Sequence, residues 1–138
     1  MEMSLQLNFE SSLNYDAGQP GISIEVLLQL GDGKVSCDAK LDTGSTFCIF
    51  ARKIGEDLGC QIEGGIKQLV GTVTGTFVVY LHQVVLSVCG FELDALVGFA
   101  ADDNFQRNAL GRRGFMEQLA IGVVDYEGQL YLGRNNRA

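Results

Sequence analysis

No apolar run in this 138-residue chain approaches the length of a membrane-spanning helix, which takes about 20 residues. Met1 to Asn14 hold neither a basic n-region nor an apolar core of signal-peptide length, so no export signal is expected there. Positive charge is scarce: 10 Lys and Arg stand against 17 Asp and Glu, a net charge of −7. Nucleic acid and anionic membranes need a basic surface, and both are set aside as partners. The acids are spread along the chain with no acidic tail, which reads as solubility. Histidine occurs once, at His82, and Cys37, Cys48, Cys60 and Cys89 are irregularly spaced with no C-x-x-C pair. The usual zinc patterns are therefore missing, and no metal or other cofactor is expected. Thiols in apolar company act as small hydrophobes. Free thiols fit a reducing compartment, so the expected location is the cytoplasm.

What is present is an ordinary globular composition, 46% apolar and 20% charged. The length fits one domain spanning 1–138, with a core of about 21–132. Ile22, Ile24, Val26, Leu28 and Leu30 alternate along one face of a strand over Ile22 to Leu30. Gly31-Asp32-Gly33 predicts a hairpin turn, and Lys34 to Leu41 returns with Val35, Cys37, Ala39 and Leu41 on one side. Ala51 to Leu58 predicts a short helix closed by Gly59. Gln61 to Leu69 reads as a glycine-interrupted strand or loop, and Val70 to Gly75 as a hairpin tip. Two strands follow, Thr76 to Leu81 and Gln83 to Val88, then a turn at Cys89-Gly90-Phe91 and a strand from Glu92 to Phe99.

Ala100 to Arg107 is a polar loop. Phe115 to Leu119 predicts a little over one helical turn, and Ile121 to Asp125 with Gln129 to Leu132 a last hairpin through Tyr126-Glu127-Gly128. At the ends, Met1 to Phe9 suits a short strand or arm, and Gly133 to Ala138 a frayed tail. Many short strands, 18 glycines and one or two short helices make the fold mostly β.

The stretch Leu41-Asp42-Thr43-Gly44-Ser45-Thr46 draws the chemistry. A strand delivers an acid into a glycine-containing loop with apolar chain on both sides. A carboxylate in such surroundings needs donors around it or a shifted pKa. Asp42 is the candidate catalytic acid.

In this setting the chain resembles the single-domain, retropepsin-type aspartic proteases. Leu41-Asp42-Thr43-Gly44-Ser45 is similar to the catalytic D-T-G-[SA] loop, preceded by a hairpin and followed by apolar residues. Gly75 through Gly90 resembles the strands after the flap, and Asn108-Ala109-Leu110-Gly111-Arg112 the apolar-apolar-Gly-Arg step before the family's C-terminal helix. The ending Leu119 to Tyr126 looks more like the bacterial branch than the viral one. The resemblance spans roughly Gly21 to Leu132 and implies a closed β-barrel, peptide hydrolysis and a peptide or protein substrate.

Two carboxyls about 3 Å apart cannot both ionise, so they share a proton and titrate as a pair. One accepts a proton from the attacking water while the other polarises the scissile carbonyl. Asp32, Asp38, Asp94, Asp102 and Asp125 all lack a following Thr-Gly or Ser-Gly, so the second carboxylate is expected from a homodimer with both Asp42 side chains at its axis. The resemblance assigns Thr43 to a hydrogen bond across the dyad, Gly44 to close approach of substrate, and Ser45 to a hydrogen bond on Asp42 that favours an acidic optimum. It makes Val70, Gly71, Thr72, Val73, Thr74 and Gly75 a flap. Asp103, Phe105 and Leu110 become cleft residues, the Asp102-Asp103 pair favouring apolar and basic substrate side chains. Gly111 and Arg112 become structural residues of the site. The family acid that would pair with Arg112 is replaced by Thr46.

Plainer readings stand beside these. Asp42 could cap its own turn, and Gly71 and Gly75 could be ordinary turn or bulge glycines. Cys48 without a positioned histidine reads as core, and His82 as a surface or strand-end residue. The alternative to an endopeptidase is a catalytically silent, protease-like module that binds peptides.

Overall fold

The computed structural model describes residues 3–134. Met1 and Glu2 of the expected N-terminal arm, and 135–138 of the expected tail, lie outside the described residues. The described part of the arm forms no strand. The first strand is β1 (Ser11–Asn14). The alternating pattern then becomes β2 (Ser23–Leu30), with Ile24, Val26 and Leu28 buried. A two-residue turn at Gly31-Asp32, with Gly31 at φ +57, sends the chain into β3 (Gly33–Leu41). Glycine reaches that positive φ without steric cost, which is why the tight turn sits there.

After the loop that begins at Asp42 come β4 (Ile49–Phe50) and α1 (Arg52–Asp57). Gly59 at φ +85 closes the helix. A 3-10 turn (Ile62–Gly64) leads to β5 (Ile66–Thr72), and Val73-Thr74 turns the chain into β6 (Gly75–Val88). Cys89 and Gly90, both at positive φ, form the next two-residue turn, before β7 (Phe91–Ala100). The remaining strands are β8 (Ala109–Leu110), β9 (Ala120–Val124) and β10 (Gln129–Gly133). β1, β10 and β9 form a small sheet, and the others a seven-stranded sheet in the order β2-β3-β8-β4-β7-β6-β5, with a further pairing of β2 to β6. The structure is mostly β, as expected. No described helix is long and apolar enough to cross a membrane.

β6 differs from the expected pair of strands. It is continuous through His82, but its buried face switches: Val79 and Leu81 point to a small cluster with Ile49, whereas Val84, Leu86 and Val88 point to the main core. Side chains alternate with period two, so the shift between positions 81 and 84 breaks the apolar pattern although the backbone pairing with β7 runs unbroken. His82 is half-buried in mid-strand, where its Nε2 donates to the Ile62 carbonyl at 2.8 Å and its ring lies 5.9 Å from Phe99.

The expected helical turn at Phe115 to Leu119 is a series of turns instead. Gly114 adopts φ +93, and the Gln118 side chain donates to its carbonyl, the acceptor a helical amide would use. The Glu117 amide reaches back to Arg112, five residues away in chain, rather than closing an α-helical bond.

The hairpin and helix interlock at Gly33, where an added Cβ would lie 2.1 Å from the Leu58 carbonyl oxygen. Backbone on both sides leaves little room to relax. Gly33→Ala is expected to lower stability by about 1–3 kcal/mol, read as a reduced urea midpoint with unchanged slope.

Candidate active site

β8 lies between β3 and β4, parallel to the first and antiparallel to the second. The chain leaving β3 at Asp42 must therefore arch over the end of β8 to reach β4. The Asp42 amide donates to the Leu110 carbonyl at 2.9 Å, continuing the β3–β8 ladder to the acid itself. Asn108 holds the other end of β8: its side chain accepts from the Ala51 amide and donates to the Asp38 carbonyl, joining β3 to the start of α1.

Within the arch, the Gly44 amide donates to Asp42 Oδ1 at 3.0 Å and the Ser45 amide to the Asp42 carbonyl at 3.2 Å. A Cβ on Gly44 would stand 3.3 Å from that same carboxylate oxygen. The Ser45 hydroxyl donates to the Phe47 carbonyl at 2.6 Å, not to Asp42. The loop's tight return turns it inward, and the donor on the carboxylate is backbone instead. Thr43 is exposed and makes no side-chain hydrogen bond among the described residues.

The chain after β8 passes directly beneath the arch. Arg112 and Arg113 amides donate to the Ser45 and Thr46 carbonyls at 2.9 and 2.8 Å. A Cβ on Gly111 would lie 2.3 Å from the Phe47 oxygen and 2.5 Å from the Ser45 oxygen, so only glycine fits. Cys48, fully buried, accepts from the Gly111 amide at 3.4 Å and donates to the Arg113 carbonyl at 3.3 Å. Burial pushes its thiol up to about 11, and that of Cys37 likewise to about 11. A protonated thiol is a poor nucleophile, so Cys48 is a structural clasp.

The arch forms one wall of a cleft of about 500 Å³, and Gln68 to Thr72 of β5 form the opposite wall. Asp42, Gly44, Ser45, Val70, Gly71, Thr72 and Phe105 are thereby brought together. Val73, Thr74 and Gly75 lie beyond it at the exposed hairpin tip, with Val73 wholly solvent-exposed. Leu110 is buried in the core and acts through its carbonyl. Arg112 lies outside the cleft, in a second hollow with Thr46, Arg113, Met116 and Glu117.

Asp103 does not line the cleft. Its carboxylate lies 3.8 Å from Arg52 Nε, and Asp102 caps its own turn by accepting the Asn104 amide at 2.8 Å. The expected favour for basic substrate side chains loses its basis, because both acids are engaged away from the cavity.

Several cleft residues escape the motif reading: Thr46, Phe47, Ile49, Gln68, Phe77, Arg107, Ala109 and Arg113 among them. Phe77 was accessible through the hairpin register, since it pairs with Val70. Its ring stacks on Phe105 at 4.8 Å and forms the apolar wall. Arg113 had no comparable signal, because its position depends on the long-range bridge to Phe47.

A mostly-β domain with an acid-bearing arch locked over a short strand, facing a β-hairpin, has the aspartic-protease type of fold. A solved structure similar to it is EIAV protease, a retropepsin, complexed with the inhibitor HBY-793. The match has a TM-score of 0.54, covers 68% of this chain and 84% of that one, and holds at 20% sequence identity. No protein-family model matches the chain, and no curated protein matches its sequence.

Because the folded chain keeps Cys48 protonated while the unfolded chain ionises, the native state binds more protons from pH 9.0 to about 11. Stability is present below that window and falls as pH rises through it. Cys48→Ala is expected to flatten this fall in denaturation curves. Gly111→Ala should pry the arch open, accelerating alkylation of Cys48 as followed by peptide mapping.

Proposed function

We propose that the chain is an aspartic endopeptidase active as a homodimer, two Asp42 carboxylates sharing one water. The observation that carries this reading is the cleft, in which a lone carboxylate on an interlocked loop faces the β5–β6 hairpin across room for an extended peptide. Asp42 is the only acid lining it among the described residues, which supports a second copy as the source of the other carboxylate. The Gly44 amide holds Oδ1 by a hydrogen bond at 3.0 Å and so fixes the carboxylate's orientation. Asp42 Oδ2 has no hydrogen-bond partner among the described residues and is left for water and the partner carboxyl.

In the reaction, one Asp42 carboxylate takes a proton from water as its oxygen attacks the peptide carbonyl. The protonated partner carboxyl donates to the carbonyl oxygen, giving a tetrahedral diol. Proton return to the amide nitrogen then lets the C–N bond break. The β5–β6 hairpin acts as the flap, excluding water and pairing with extended substrate from above. Among the described residues β5 is an edge strand with only β6 as a neighbour, which supports that pairing. The β2–β6 pairing supports a closed barrel beneath the site. The Leu119 to Tyr126 ending supports placement in the bacterial branch, and four free thiols support a cytoplasmic location.

Unfolded casein, incubated from acidic to neutral pH beside Asp42→Asn, tests this. Cleavage by the parent and a loss of at least about a thousandfold in the variant are expected, on the scale of removing a catalytic group. Equal cleavage by both overturns the carboxylate mechanism. Sedimentation across concentrations should show a monomer–dimer equilibrium, and a strict monomer throughout would contradict the paired site.

A further inference from the structure

We infer that the cleft selects peptides carrying an acidic side chain beside an apolar one, with Arg107 as the recognising cation and Arg113 as its support. The site rests on the endopeptidase reading above, whereas the charge preference is a separate property of the cleft. The loop leading to β8 carries two acids, yet Asp102 closes a turn on the Asn104 amide. Asp103 lies toward Arg52, which a bidentate contact with Glu63 holds on the outer side of the loop. Phe105 turns inward onto Phe77, and Arg107 follows into the same cleft. Arg113 also lines it, its backbone fixed by the hydrogen bond that its amide donates to the Thr46 carbonyl.

Neither guanidinium has a hydrogen bond or ion pair through its side chain among the described residues. The whole chain carries a net charge of −7, so two cations in one cleft, unpaired among the described residues, run against its overall balance. Asp42 is the only lining acid to oppose them among the described residues, one carboxylate against two guanidinium groups. A guanidinium offers a planar fork of donors that fits a carboxylate. The Phe77–Phe105 stack supplies the adjoining apolar surface for the neighbouring side chain. The same two cations repel lysine and arginine side chains.

Matched peptides differing only in Glu against Gln, placed in turn on each side of an apolar residue, test the idea. The parent is expected to cleave the best Glu peptide with a KM about tenfold lower than its Gln counterpart, as for a hydrogen bond to a charged group. Arg107→Ala should erase that difference by raising the Glu peptide's KM to that of its Gln counterpart. Arg107→Glu should transfer the preference to Lys peptides. Fluorescence binding to the Asp42→Asn protein should show the same discrimination without any cleavage. Equal handling of Glu and Gln peptides in both assays overturns acid selection and leaves proteolysis standing. Binding discrimination without cleavage by the parent supports acid selection and overturns the endopeptidase reading. Discrimination that survives both Arg107→Ala and Arg113→Ala overturns the assignment to these side chains.

Discussion

The carbonyl oxygens of Ser45 and Phe47 occupy the space that a side chain at position 111 would need, with only 2.5 and 2.3 Å to an added Cβ. That close packing of one backbone on another fixes the candidate site. It lets the Arg112 and Arg113 amides reach the arch carbonyls and places the Cys48 sulfur between two backbone groups of the crossing chain. Asp42 is thereby held by ladder hydrogen bonds on one side and by the arch on the other. A carboxylate positioned by backbone rather than by long side chains is held in one place with little freedom to lose.

The same region shows why the sheet is built from strands that change allegiance. β6 begins against the small cluster of Ile49, Val79 and Leu81 beneath the cleft and ends against the main core. One long strand therefore transmits the rigidity of the core to the hairpin that overhangs the cavity. The tip itself, with Val73 and Thr74, is exposed and is closed by the Thr72 hydroxyl donating to the Gly75 carbonyl at 2.9 Å. Local stability decreases where buried apolar contacts run out, so local opening is expected to start at the end of the hairpin rather than at its base.

Charge is distributed by the same logic of engagement. The acids of the loop before β8 are used in a turn and beside Arg52, while its cation, unpaired among the described residues, lines the cleft. A composition that is acidic overall thus surrounds a cleft lined, among the described residues, by two arginines and one acid. The number of acids in a stretch says little about the field inside it, because side chains two positions apart can face different surroundings.

Much of the fold was legible in the chain: alternation in β2 and β3, the glycine turn between them, the closing Gly59, and an acid at the end of the hairpin. Each depends on residues close in sequence and on the steric freedom of glycine. β6 was read as two strands because its apolar phase shifts where it passes between cores, and the helical turn near Phe115 was lost to Gly114 and the Gln118 side chain. At the site, the sequence alone determined that Asp42 ends a strand in a tight loop. Only the tertiary structure decided that Ser45 bonds Phe47, that Asp103 turns away, and that Arg107 and Arg113 share the cleft. Those outcomes rest on contacts such as that between Gly111 and Cys48, 63 residues apart, which no local pattern specifies.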